Sequence, residues 1–85
     1  MRPGLNSDID WGGKLYHVQT EDGGLANPAI LTRLFFRGVV LSSRKTSYLY
    51  LMDREDLDTV VVKLMKDQHH AVIEDLKRGV IDDQR

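Results

Sequence analysis

The stretch AILTRLFFRGVVLSSRKT, from Ala29 to Thr46, decides the fold. It is apolar and rich in branched and aromatic residues: Ile30, Leu34, Phe35, Phe36, Val39, Val40 and Leu41 are types that favour strands. Arg37-Gly38 divides it where a two-residue hairpin turn needs a glycine. Two antiparallel strands folded at Gly38 are therefore predicted, with Phe36 opposite Val39 and Leu34 opposite Leu41. The strand period of two then puts Ile30, Thr32, Leu34, Phe36, Val39, Leu41 and Ser43 on one face. Leu31, Arg33, Phe35, Val40, Ser42 and Arg44 fall on the other. The first face reads as core, and the second mixes apolar side chains with arginines.

Upstream, DIDWGGKLYHVQTED has the same grammar. Gly12-Gly13 is a turn between two alternating runs. Ile9, Trp11, Tyr16, Val18 and Thr20 share one face, while Asp8, Asp10, Leu15, His17, Gln19 and Glu21 share a mostly polar one. That alternation belongs to a sheet with one wet side. Asp22-Gly23-Gly24 ends the second strand, and Pro28 biases Asn27 towards an extended shape.

Downstream, Ser47 to Met52 either prolongs the fourth strand or forms a packed crossover, the crossover being the preferred reading. A helix of roughly 25 residues, about 37 Å long, follows from an Asp53 cap to a Gly79 stop. Leu57, Val60, Val61, Leu64, Ala71 and Val72 form its apolar stripe. Lys63 with Asp67, and Glu74 with Arg78, have the spacing of helical ion pairs.

The whole is an α+β domain, a four-stranded antiparallel β-meander with one long C-terminal helix packed on one face. Residues 1–7 and 81–85 read as flexible tails around a single domain over 8–80. Trp11, Val18, Ile30, Leu34, Phe36, Val39, Leu41, Val61 and Leu64 are the expected core.

Eighty-five residues support one thin core. There is no cysteine, so disulfides and thiolate metal sites are excluded. The start lacks the apolar segment of a secretory signal, and no apolar run spans a bilayer, which points to a cytoplasmic protein without a membrane partner. A net charge of −1 argues against strong nonspecific binding to nucleic acid.

Two features favour a homodimer. The expected helix overhangs strands of about 20–27 Å, and Met65, His69, Val72, Ile73 and Leu76 form a short seam suited to another helix. One helix about 10 Å across also leaves part of a four-stranded face uncovered. Tyr48, Leu49, Leu51 and the N-terminal tail could instead cover the gap from within the chain. The mixed face offers a second contact, since Leu31, Phe35 and Val40 form an apolar island rimmed by Arg33 and Arg44. The candidate interface for a second copy or an unidentified protein is thus either the helix seam or the mixed sheet face.

Catalytic signals are missing. His69 and His70 project about 100° apart and no His-x-x-x-His occurs, so no metal or other cofactor is expected. No nucleophile elbow and no phosphate loop is present. A small enzyme with its site at a subunit interface remains an alternative. So does single-stranded nucleic-acid binding through Arg33, Phe35, Arg37, Arg44, Lys45 and Tyr48, where aromatics would stack bases and cations hold phosphates.

YHVQTED (Tyr16 to Asp22), Asn27-Pro28, LFFRGVVLSSRKTSY and LMKDQHHAVIEDLKRG together resemble an uncharacterised family of small bacterial proteins. The resemblance runs from about Gly13 to Gly79. It implies no activity and no catalytic residue, and it suggests a cytoplasmic bacterial protein, sometimes joined to signalling modules. The expected function is a non-catalytic interaction or adaptor domain acting as a homodimer.

Overall fold

The computed structural model describes residues 2–80. Four strands, β1 (Leu5–Trp11), β2 (Lys14–Asp22), β3 (Ala29–Phe36) and β4 (Val39–Ser47), form one antiparallel sheet in the order β1-β2-β3-β4. A 3-10 turn at Leu49–Leu51 leads to the helix α1 (Leu57–Lys77), which packs on one face. This is the expected α+β meander. The loose end expected at 81–85 lies outside the described residues.

Both hairpins close as the glycines require. Gly12 and Gly13 have φ of 60° and 75°, and Arg37 and Gly38 have 52° and 77°. Positive φ at both central residues is the turn whose twist matches paired strands. Asp8 faces His17, Ile9 faces Tyr16 and Phe36 faces Val39, as the parity predicts.

Parity fails at one place. The register shifts between Leu34 and Phe35, so Phe35 pairs with Val40 but Leu34 pairs with Ser42. Leu41 is the extra residue of a β-bulge, which reverses the alternation of everything after it. Ser42, Arg44 and Thr46 therefore turn towards α1, while Ser43 and Lys45 turn away. Nothing in LSSRKT marks the bulge, because its residues suit either face.

The helix is also shorter than expected. It begins at Leu57 with Asp56 at the N-cap position, not at Asp53. The Asp56 carboxylate makes no cap bond and instead takes two bonds from Arg54. Twenty-one residues span about 31 Å, close to the roughly 30 Å of nine-residue β2 and β4, so the expected overhang does not exist.

The buried face of α1 is Val61, Met65, His69, Val72 and Leu76. Four of these belong to the seam expected to meet another helix. A 4-3-4 spacing suits one's own sheet as well as a second helix. Val61, Ile30, Tyr48 and Met65 make one core cluster, with Leu5, Leu51, Met52, Leu57 and Leu64 packed around it. Val18, Leu34, Val72 and Leu76 make another, flanked by Ile9, Tyr16, Leu41 and Ile73. Tyr48 and Leu51 thus cover the sheet from within the chain. Trp11 and Val39, expected in the core, are 43% and 56% exposed because they sit at the hairpin tips, past the last turn of α1.

The N-terminal segment is anchored, and β1 starts at Leu5 rather than Asp8. Arg2 reaches Asp22 on the sheet (2.7 Å) and Asp58 on α1 (2.6 Å), and lies over the Tyr48 ring.

Candidate functional site

The sheet face opposite α1 carries the first candidate site. Its centre is a row running Asp8, His17, Phe35, Val40 across all four strands. His17 Nδ1 lies 2.9 Å from an Asp8 oxygen and Nε2 lies 3.3 Å from the Asn6 side-chain oxygen. The imidazole ring also lies 6.1 Å from the Phe35 ring. The next rows bring Gln19, Arg33 and Ser43, then Glu21, Leu31 and Lys45. Leu31, Phe35 and Val40 are half-buried by neighbours alone, and no described element covers them. A shallow cleft of about 420 Å³ opens at the hairpin end of this face, between Lys14, His17, Phe35 and Arg37. Lys14 and Arg37 both lie over the Phe36 ring, 5.7 and 5.3 Å from its centroid.

Several predicted site residues are elsewhere. The bulge carries Arg44 to the helix side, where it bonds Asp75 at 2.6 Å. It therefore cannot rim the apolar island, and Lys45 stands in its place. Tyr48 is fully buried and its hydroxyl donates to Asp22 at 2.6 Å. The proposed nucleic-acid patch thus loses Arg44 and Tyr48 and keeps Arg33, Phe35, Arg37 and Lys45. Met65, His69, Val72 and Leu76 are buried against the chain's own sheet and are not free for a partner, while Ile73 is half-buried beside them.

A second constellation lies inside the protein, between the two apolar clusters. Ser7 Oγ is 2.8 Å from His69 Nε2, and His69 Nδ1 is 2.8 Å from Thr20 Oγ1. Thr20 Oγ1 is 2.7 Å from Thr32 Oγ1, and Gln68 Nε2 is 3.0 Å from Thr32 Oγ1. The hydrogen positions are assigned from the fixed groups by requiring that every buried hydrogen meet an acceptor. The Gln68 nitrogen faces the Arg44 carbonyl at 3.0 Å, which can only accept, while Thr46 donates to the Gln68 oxygen. On that requirement Gln68 donates to Thr32, Thr32 to Thr20, and Thr20 to His69 Nδ1. His69 is left with its hydrogen on Nε2 and donates to Ser7.

This order explains how polar groups survive in the core, since each donor meets an acceptor. Burial first, then the nearby His70 and His17, holds the His69 pKa below its ordinary value. The Ser7–His69–Thr20 distances match those of a nucleophile, a base and its orienter. The orienter is a hydroxyl rather than a carboxylate, however, and the clefts described above and below include neither Ser7 nor His69. The belt is best understood as core structure.

A third group binds the chain ends together. The Asp22 side chain is fully buried and accepts from Tyr48, from the Gly24 N–H (3.0 Å) and from Arg2. Burial alone would raise its pKa, but the Tyr48, Gly24 and Arg2 bonds outweigh that and hold the carboxyl below its ordinary value. Burial and the same carboxylate push the Tyr48 phenol up. A broad open groove beside Arg2 is lined by Pro3, Leu25, Asp58 and Val62.

Sequence reasoning missed Ser7, Thr20, Thr32 and Gln68. The signal was available in part, because Thr20 and Thr32 sit at core-facing parity on adjacent strands, where hydroxyls bond one another. Among the described residues no group of three metal-ligating side chains converges, and no helix is long and apolar enough to cross a membrane. Comparison with protein-family models, curated proteins and solved structures gave no significant match.

Proposed function

We propose that the chain is a non-catalytic interaction domain whose open sheet face is its contact surface, occupied by a second copy of the chain. The observation that carries this reading is the half-buried island of Leu31, Phe35 and Val40 on a face that no described element covers. Aromatic and arginine side chains at such an island suit an interface. Charge supports self-association. Asp8, Asp10 and Glu21 lie on β1 and β2, whereas Arg33 and Lys45 lie on β3 and β4 and Arg37 in the turn between them. A two-fold axis parallel to the strands lays the acidic half of one copy over the basic half of the other, and closed two-fold dimers are the commonest assembly. The lack of cysteine and the resemblance to small bacterial proteins support a cytoplasmic bacterial setting.

Sedimentation velocity across a wide concentration range tests the proposal. The expected result is a concentration-dependent dimer that Phe35→Asp converts to monomer without unfolding. A single-chain mass at every concentration would overturn it.

A further inference from the structure

We propose that His69 is a proton-operated latch that holds α1 on β1 and β2 when neutral and releases it when protonated. The inference rests on the direction of the hydrogen-bond chain, not on the reading of the open face. His69 is 3% exposed and bridges three elements, with Nδ1 on Thr20 and Nε2 on Ser7, and in the assigned order it takes a hydrogen from Thr20 and gives one to Ser7. A second hydrogen on Nδ1 would point at a hydroxyl whose own hydrogen already points back. Thr20 could turn away by donating to Thr32, whose oxygen can accept from both Thr20 and Gln68, but the Thr32 hydrogen would then lose its acceptor. That N–H terminus is itself fixed by the Arg44 carbonyl. Protonation therefore leaves at least one buried hydrogen without an acceptor, beside a desolvated charge.

Among the described residues no anion faces the ring to offset this. From β1 the imidazole meets Ser7, while Asp8 and Asp10 project to the opposite face. From β2 it meets Thr20. Asp22, on the same face, is engaged by Tyr48, Gly24 and Arg2. His17 belongs to the open face. On α1 the neighbouring His70 ring lies edge-on at 6.2 Å, and a positive charge there would add repulsion. Across the sheet, Asp75 is engaged by Arg44.

The unfolded chain has no such constraint, so it binds this proton more readily than the folded one. Stability is complete above the unfolded pKa of about 6.5 and falls as the pH drops below it, by at most tenfold in the folded-to-unfolded ratio per pH unit.

Imidazole NMR of the full chain between neutral and mildly acidic pH reads the latch directly. His69 should be the Nε2–H tautomer and stay neutral well below the ordinary histidine range, while amide protection in α1 falls with pH. Thr20→Asp, which sets before Nδ1 a carboxylate that can only accept, should raise the His69 pKa. In denaturant titrations, His69→Gln should abolish the loss of stability below about pH 6.5. An Nδ1–H tautomer, ordinary titration with α1 undisturbed, or no rise in Thr20→Asp would each overturn the proposal. These readouts are independent of oligomeric state.

Discussion

Replacing Asp22 with Asn is a sharp probe of how the chain ends are tied to the fold. The change keeps shape and removes charge. One carboxylate oxygen accepts both the Tyr48 hydroxyl and the Gly24 N–H, and the other accepts Arg2. An amide can keep the first pair of bonds through its oxygen. Its NH2 group must then face the Arg2 guanidinium, donor against donor. The charge-assisted bond, about 1.5–3 kcal/mol, is lost, and Arg2 is left partly buried and held only by exposed Asp58. A total of about 2–4 kcal/mol is reasonable, less than for a wholly buried pair because Asp58 still compensates Arg2. For a domain this size, each 1 kcal/mol shifts Tm by roughly 4–8 °C. Urea titration should show a lower midpoint with an unchanged slope. Tyr48→Phe, which removes one donor and leaves the carboxylate two others, should cost only about 1 kcal/mol. The pH dependence gives an independent check. Because the folded Asp22 pKa is depressed, its stabilisation is present above the unfolded value of 3.8 and is lost as pH falls through the folded one. Wild type and Asp22→Asn should therefore converge in strong acid. A variant within about 0.5 kcal/mol of wild type at neutral pH would refute the reasoning.

Two further outcomes follow from the packing. Leu34→Ala, at a 1% exposed position in the core cluster with Val18, Val72 and Leu76, should cost about 2–5 kcal/mol in denaturant titration and bring the domain near unfolding. Gly38→Ala should cost about 1–2 kcal/mol through its φ of 77° alone, since an added Cβ would meet nothing within 4 Å. A loss confined to the backbone in this way should leave the open face and its contacts unchanged by NMR.

The meander, both turns and the faces of the first three strands were legible because strand parity is arithmetic once Gly12-Gly13 and Gly38 are placed. Leu31, Phe35 and Val40 stayed on the open face for that reason. The arithmetic broke at Leu41, where a bulge reversed Arg44 and exchanged it for Lys45. No residue in that strand forbids the regular register, so only the packing of Gln68 and Asp75 against the sheet distinguishes the two. The helix stripe was misjudged for a related reason. Val61, Met65, His69, Val72 and Leu76 define its buried line, but a polar His69 at its middle looked like an interface residue. Its partners Ser7, Thr20 and Thr32 come from distant segments, and their convergence is visible only after folding. Arg2 was hidden similarly, because a Pro-Gly segment looks frayed until Asp22 and Asp58 are seen to converge on it.

The open sheet face as a self-association surface is tested most directly by a dilution series of amide NMR spectra. The expected result is that concentration-dependent shifts fall on the outward positions of the sheet, centred on His17, Leu31, Phe35 and Val40, and vanish in Phe35→Asp. Shifts clustered on the exposed side of α1, or no shifts at any concentration, would contradict it.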